Sequence, residues 1–185
     1  MTRPLPRPQV VALVAEAFRE HGFDGASLSL IGTATGLGKG SLYHFFPGGK
    51  EDMANAVIDE IGAWFEREVF APLASGEATS IDAMFDSVDA YFRSGRRVCL
   101  VGAFALNDSR SMFARKIAAY FQRWIAALAS ALEARGFGRK KARARAEEIV
   151  SGIQGAIVLA RALDDPESFG RLMERLRKRS RRQEA

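Results

Sequence analysis

The sequence is poor in the residues that build disulfides and metal centres. Its 185 residues include one cysteine, Cys99, and two histidines, His21 and His44. A single cysteine excludes an internal disulfide framework and any cysteine-rich zinc site, and two histidines leave few ligands for another metal. We therefore predict no metal and no cofactor. Two interpretations of Cys99 stay open, a redox sensor and a small buried thiol.

Long apolar runs and catalytic constellations are missing too. No stretch approaches the roughly 18 uninterrupted apolar residues of a membrane-spanning helix, and Met1 to Pro8 lack the apolar core of a secretory signal. We recognise no nucleophile–base pair and no paired catalytic carboxylates, since Asp164-Asp165 resembles a helix end. These absences predict a soluble, cytoplasmic protein that has no membrane partner and is not an enzyme.

Charge is unevenly distributed along the sequence. The 27 basic residues exceed the 22 acidic ones, for a net charge of +5. Residues 1–53 hold five of each sign, whereas residues 135–148 hold six basic and two acidic residues, and residues 149–185 hold eight and five. This excess raises the prospect of a polyanionic partner only modestly. The densest part, Arg171 to Arg182, could also contact a membrane surface, although charge runs are usually solvated helix faces.

Apolar residues recur at helical spacing along almost the whole chain, and no segment alternates like a strand. This pattern predicts an all-α fold of about nine helices, with a three-helix head (residues 1–50) and a larger helical bundle (residues 51–185). One helix should run from Lys50 to about Ala71 and be ended by Pro72, and the arginine-rich end from Arg175 should fray.

The segment from Ser27 to Asp52 predicts a helix-turn-helix. Ser27 can cap a short helix over 28–35, Gly36-Leu37-Gly38 forms a tight turn, and a second short helix covers 39–45. The second helix of this motif enters the major groove of DNA. Its free N–H groups and Lys39 favour a phosphate, and Gly40 allows DNA to approach closely.

The run from Lys39 to Lys50 reads KGSLYHFFPGGK. It resembles the head of the TetR (tetracycline repressor) family, which typically reads K-G-(T/S)-(L/I)-Y-x-(Y/H)-F with a basic residue at the next helix start. The extra glycine in PGGK is similar to the lincomycin-resistance-repressor branch. The resemblance implies a dimeric transcriptional regulator, most often a repressor, that binds a palindromic double-stranded DNA operator and is released by a small-molecule effector.

Carried over by position, the resemblance also implies the residues that contact DNA. Phosphate contacts are implied for Ser27, Lys39, Tyr43 and Lys50, and groove-facing positions for Ser29, Thr33, Gly40, Ser41 and His44. The sequence departs from the family pattern at Leu30, Gly32 and Gly38. These departures leave an alternative open, a helical ligand-binding protein whose head no longer binds DNA.

The body offers two further candidate sites. Large aromatic residues at helical spacing are either ordinary core or the lining of an apolar effector pocket, for which we select Trp64, Phe92, Phe104, Tyr120 and Trp124. A helix apolar on more than one face is either central in one chain or paired with its copy in a homodimer. The predicted dimer residues are Ile149, Gly152, Ile153, Ala156, Ile157, Phe169, Leu172, Met173 and Leu176.

Overall fold

The computed structural model describes residues 5–77, 79–108 and 110–181, and within these ranges every regular element is helical. Residues 1–4 and Arg182, which entered the predictions above, lie outside the described residues. The all-α prediction is confirmed, with nine helices in the described part of the chain. They are α1 (Arg7–Gly25), α2 (Leu28–Thr35), α3 (Lys39–Phe45), α4 (from Lys50), α5 (Ser80–Phe92), α6 (Leu100–Leu106), α7 (Arg110–Ala134), α8 (Arg139–Ala162) and α9 (Pro166–Arg179).

Backbone contacts divide the chain into two compact units. The first contains the residues up to Gly62 together with Leu100–Ile117, and the second contains Ala63–Cys99 together with the residues from Ala118 onward. The first unit is larger than the head predicted over residues 1–50, because most of α4, all of α6 and the start of α7 belong to it.

Helix α4 changes its geometry halfway. It is α-helical over Lys50–Phe65, widens into a π turn over Glu66–Phe70 and closes with a last α turn over Ala71–Ala74. The Ala71 N–H donates to the Glu66 carbonyl, which is the five-residue hydrogen bond of a π turn. We expected Pro72 to end the helix, since its ring clashes with the carbonyl four residues earlier in a regular helix. The wider turn relieves that clash, and the helix continues to Ala74.

The first unit is built on a small apolar core shared by α1, α2, α3 and α4. Its largest members, such as Phe18, Ile31 and Phe46, are at most 1% exposed. Gly22 interrupts α1 with a φ of 69°, and one further helical turn follows it. Helix α6, which the apolar pattern did not distinguish, brings Phe104 into this unit.

The second unit is held by packing of α8 on α9. Helix α8 begins at Arg139, ten residues before the apolar stripe we recognised, because the buried Ala142 and Ala146 extend the same face. A side-chain Cβ at Gly152 would lie 2.8 Å from Leu176 Cδ2, so the absence of a side chain allows the two helices to approach closely. Among the described helices, none combines the length and apolar content that crossing a bilayer requires.

The arginine-rich end of α9 is more ordered than we predicted. The helix runs to Arg179, and Leu176 near its end is buried. Arg177 pairs with Asp86, and its guanidinium carbon lies 5.4 Å from the ring centroid of Phe85. These contacts fix the last turn, so the predicted fraying from Arg175 is wrong for the described residues.

Candidate functional site

Helices α2 and α3 form the predicted helix-turn-helix, and local hydrogen bonds define both of its ends. The Leu30 N–H donates to Ser27 Oγ at 3.2 Å, which confirms Ser27 as the cap of α2. Gly36 closes that helix with a φ of 68°, and the Leu37 N–H returns to the Gly32 carbonyl at 3.1 Å. Only three residues therefore separate the two helices.

Helix α3 has one buried and one exposed side. Leu42 and the following Phe46 are each 1% exposed and anchor the helix in the core of the first unit. The remaining side is open to solvent, and we call it the recognition surface. It comprises Lys39, Gly40, Ser41, Tyr43 and His44.

The start of α3 is free of the chain's own capping groups. Gly38 is the N-cap and offers no side-chain acceptor, so the first N–H groups of the helix face outward with Lys39 beside them. A Cβ at Gly40 would have no atom within 4 Å, so nothing in the described chain fills this space. Ser29 and Thr33 are also exposed, and both line a groove of about 580 Å³ between α2 and α3. The Thr33 hydroxyl donates to the Ser29 carbonyl at 3.1 Å.

Lys50 is placed differently from the other predicted DNA contacts. Its side chain is half-buried, Nζ donates to the Asp24 carbonyl at 3.3 Å, and the ammonium lies 4.6 Å from the ring centroid of Phe23. The Gly48 N–H donates to an Asp52 carboxylate oxygen at 2.7 Å. The resemblance implies a phosphate contact from Lys50, but here the chain's own carboxylate takes up the Gly48 N–H just before α4, and Lys50 joins α4 to the end of α1.

One departure from the family pattern has a structural reason. A Cβ at Gly32 would lie 3.0 Å from the Leu37 carbonyl oxygen, so the turn after α2 passes directly over this glycine. The glycine that costs α2 some helix propensity therefore allows a close approach of the chain. Leu30, the second departure, is 40% exposed and is therefore not part of the core.

The second unit gathers seven aromatic residues, which we call the aromatic cluster. Phe65 lies at its centre, with ring centroids 5.2 Å from Tyr120 and 5.3 Å from Trp124. Trp64 is half-buried and stacks 4.5 Å from Tyr91. The cluster comprises Trp64, Phe65, Phe70, Tyr91, Phe92, Tyr120 and Trp124.

Two polar atoms of the aromatic cluster are buried without a hydrogen-bond partner among the described residues. They are the Tyr120 hydroxyl and the Trp124 indole Nε1. Burial raises the pKa of Tyr120 well above its usual value, and the nearby Cys99 and Tyr91 raise it further. Leaving such donors unpaired is unfavourable, so the interior of the cluster can offer two hydrogen bonds to a bound molecule. Cys99 itself is a buried thiol.

Four of the five predicted pocket residues belong to this cluster, and Phe104 does not. Phe104 lies in the first unit, where its ring centroid is 6.0 Å from that of Phe18 and 5.5 Å from that of Phe113. The pocket prediction also omitted Phe65, Phe70 and Tyr91. Phe65 and Tyr91 are recognisable in the sequence as large aromatic residues at helical spacing. Phe70 follows Phe65 by five residues, and the π turn brings the two rings together.

An ion pair adjoins the cluster where the π turn begins. Arg123 donates to both carboxylate oxygens of Glu66, from Nε at 3.0 Å and from a terminal nitrogen at 2.7 Å. The hydrogen bond from Arg123 lowers the pKa of Glu66, and the reciprocal bond raises the pKa of Arg123. This pair links the π turn of α4 to α7 within the second unit.

The predicted dimer residues pack inside the single chain. Seven of them are buried, and Gly152 and Leu172 are half-buried. Their apolar character is explained by contacts within the second unit, chiefly between α8 and α9. The exposed apolar side chains of α8 lie elsewhere on the helix, since Val158 is 61% exposed and Leu159 46%, and Leu163 directly after the helix is 65% exposed.

Comparisons with known proteins agree with this architecture. The model of the family "Bacterial regulatory proteins, tetR family" matches residues 12–57. The model "Transcriptional regulator LmrA/YxaF-like, C-terminal domain" matches residues 78–175. The first match includes the helix-turn-helix, and the second covers most of the second unit.

Whole-chain relatives point to the same group. The helix-turn-helix regulator Rv0196 of Mycobacterium tuberculosis is 30% identical over 169 residues, which is 86% of each chain. LmrA of Bacillus subtilis is 23% identical over 83% of this chain and 85% of its own. The crystal structure of a TetR transcriptional regulator from Legionella pneumophila superposes with a TM-score of 0.77 at 24% identity, covering 96% of this chain and 98% of that one. The chain thus belongs to the TetR family of transcriptional regulators, which bind DNA and are not enzymes, and its C-terminal part is of the LmrA/YxaF-like type.

Proposed function

We propose that the protein is a homodimeric repressor that binds a palindromic operator and is released by a small apolar or aromatic effector. The observation that carries the DNA part is the two-sided α3, whose buried Leu42 and Phe46 hold the recognition surface toward solvent. Two such heads would occupy half-sites about 34–36 Å apart, one turn of DNA. Because the target is chromosomal DNA, the proposed place of action is the bacterial cytoplasm.

The proposed DNA contacts divide into phosphate and groove contacts. Lys39 and the free N–H groups at the start of α3 would hold a phosphate, with Ser27 and Tyr43 as further phosphate donors. Ser29, Thr33, Gly40, Ser41 and His44 would face the groove. We propose that Lys50 contributes by fixing the start of α4, because its ammonium is already bonded to the Asp24 carbonyl.

The DNA proposal is tested by fluorescence polarisation with the protein's own upstream region and an unrelated duplex. Lys39→Ala should weaken binding to both duplexes and reduce the slope of log affinity against log salt concentration by about one. Lys140→Ala, an equal loss of charge at the exposed start of α8, is the matched control and should leave DNA binding unchanged. If the unaltered protein binds neither its upstream region nor any fragment of a genomic library, the head does not bind DNA.

For the effector we propose the aromatic cluster, with Trp64, Phe92, Tyr120 and Trp124 as contacts. Support comes from its apolar rings and from the two unpaired donors on Tyr120 and Trp124. Helix α4 contributes Phe65 and Phe70 to the cluster and also holds Lys50 in the first unit. An effector that moves α4 would therefore change DNA affinity, and DNA would change effector affinity by the same factor.

Intrinsic fluorescence offers a direct test of the effector site. Both tryptophans of the chain, Trp64 and Trp124, belong to the aromatic cluster. Titration with the uncharged aromatic probe N-phenyl-1-naphthylamine should quench their emission and lower operator affinity. Binding of this probe with no change in tryptophan emission would place the apolar site elsewhere in the chain.

We propose that the homodimer forms through α8 and α9 but on another face of α8 than the predicted residues. The predicted residues, including Ile153 and Phe169, pack within one chain. Val158 and Leu159 are exposed, and Gly155 beside them is small and exposed as well. Val158→Glu should convert the dimer to a monomer in sedimentation velocity. Ala144→Glu, also exposed on α8, is the control and should remain dimeric. A dimer that survives Val158→Glu would place the interface elsewhere.

A further inference from the structure

The first turns of α8 carry a concentration of positive charge that the proposed function does not use. Helix α8 begins after Gly138, and five of its first seven residues are basic, with no acidic residue in the first turn. The five are Arg139, Lys140, Lys141, Arg143 and Arg145. Cations at a helix N-terminus oppose the helix dipole, so this placement works against the stability of α8. Arg143 and Arg145 are paired with Glu147 and Glu148 one turn later, whereas Arg139, Lys140 and Lys141 have no carboxylate at ion-pair distance among the described residues.

Part of this charge converges on a cleft within the second unit, which we call the cationic cleft. The cleft has a volume of about 950 Å³ and is bounded by the Gly136–Gly138 turn, the start of α8 and the end of α9. Its charged lining comprises five basic residues and one acidic residue, for a net charge of +4. They are Lys141, Arg145, Lys178, Arg179, Arg181 and Glu148.

Glu148 is the one carboxylate among the described residues that lines the cleft, and Arg181 is paired in addition with Asp82 outside the lining, at 4.0 Å. Glu148 accepts a hydrogen bond from Arg145 at 2.8 Å and also pairs with Arg179, so it holds two guanidinium groups side by side. In the described part of the chain, no carboxylate lies within ion-pair distance of Lys141. The Gly138 cap has no side chain, so the first N–H groups of α8 also lack a side-chain acceptor.

The end of α9 alone would not require a ligand. Lys178 and Arg179 lie at a helix C-terminus, where cations are favourable, and Lys178 lies 3.8 Å from Glu174. The same explanation fails for Lys141, which lies in the first turn of α8, where the helix dipole disfavours a cation. The two groups of cations meet in one cleft, and this convergence is what points to a bound anion.

We propose that the cationic cleft binds a compact anion carrying two or more phosphate groups, such as inorganic triphosphate or the phosphate chain of a nucleotide. Guanidinium groups match phosphate oxygens in geometry, and lysine adds a mobile charge. The cleft volume lies in the range of small-molecule sites. A single concave cleft suits a compact anion better than a nucleic acid duplex, which needs cations spread along an extended surface.

Calorimetric titration with orthophosphate, pyrophosphate and triphosphate at physiological ionic strength tests the proposal. Affinity should rise along this series and exceed that for sulfate. Lys141→Gln should weaken triphosphate binding about tenfold, as expected for a lost charged hydrogen bond, and Lys141→Arg should retain it. The matched control is Lys140→Gln, since Lys140 is the next residue but lines a separate groove with α7. Its effect should stay below about twofold, because Lys140 does not line the cleft and its charge reaches the bound anion only through screening solvent.

Three outcomes would overturn the proposal. They are equal affinity for triphosphate and sulfate, equal weakening by Lys141→Gln and Lys140→Gln, and displacement of triphosphate by an unrelated DNA duplex. Equal melting temperatures for both variants would show that binding changes do not arise from unfolding. Lys39→Ala in the head should leave triphosphate binding unchanged, which separates this site from the proposed DNA contacts.

Discussion

The recognition surface and the aromatic cluster differ in whether their candidate functional residues are also core residues. On α3, Lys39 and Ser41 are exposed while Leu42 is buried, so binding and anchoring fall to different side chains. In the aromatic cluster, Trp124 is fully buried and is both a core residue and a proposed effector contact. Substitutions on α3 can therefore report on binding alone, whereas most substitutions in the cluster change folding as well.

The largest expected difference between the two regions is in stability. Phe65→Ala should lower the free energy of unfolding by about 3–5 kcal/mol, because it removes a fully buried ring at the centre of the cluster. Lys39→Ala should change it by less than about 0.5 kcal/mol, because the side chain is exposed. Denaturant unfolding of both variants measures this contrast. Similar losses in the two variants would mean that α3 is not separable from its core.

Within the aromatic cluster, Tyr120→Phe is the substitution that should not reduce stability. The Tyr120 hydroxyl is buried without a partner among the described residues, so its removal should leave the melting temperature unchanged or raise stability by up to about 1 kcal/mol. The same variant should bind the aromatic probe more weakly if the hydroxyl contacts it. A clear loss of stability would instead assign the hydroxyl a structural hydrogen bond.

Gly40→Ala should separate stability from binding on α3. A Cβ at Gly40 meets open space, so alanine should stabilise the helix by up to about 1 kcal/mol while its methyl group hinders close approach of DNA. Gly62→Ala is the control, because Gly62 is also a helical glycine with open space around its Cβ. Both variants should melt higher, and only Gly40→Ala should lose operator affinity. Equal DNA binding by the two would remove Gly40 from the recognition surface.

The smallest expected effect concerns the ion pair beside the π turn. Because the pKa of Glu66 is lowered in the folded chain, its contribution to stability is present above the ordinary glutamate pKa and is lost as pH falls through the lowered value. Glu66→Gln should reduce the free energy of unfolding at neutral pH by about 0.2–1 kcal/mol, the range for exposed pairs. The difference from the unaltered protein should vanish in acid. Glu60→Gln, at an exposed position of α4, should show no such pH-dependent difference.

The helix-turn-helix could be predicted from the sequence because its determinants are local. A cap at Ser27, a glycine turn at Gly36 and apolar anchors at Leu42 and Phe46 lie within twenty residues, and each performs its predicted task. Lys50 is the exception, since the carbonyl that it contacts belongs to Asp24, 26 residues away.

The body was harder to predict because apolar spacing does not identify the neighbour that covers a helix face. Ile153 and Phe169 were predicted at a contact between copies, yet they are covered within one chain. Phe104 has the same chemistry as Phe92 but belongs to the other unit. Spacing alone could not separate these cases, since burial by one's own chain and burial by a partner select the same residue types.

The π turn of α4 changes which residues share a face of this helix. One extra residue in a turn displaces all later residues by about 100° around the helix axis. Helical-wheel counting from Met53 therefore assigns wrong faces beyond Phe65, and a substitution scan of α4 has to restart its count at Ala71. Deleting one residue within Glu66–Phe70 would remove the wider turn and bring the Pro72 ring back against the carbonyl four residues earlier, so the helix should end or kink there. The face of α4 in the first unit, which precedes the deletion, would keep its register.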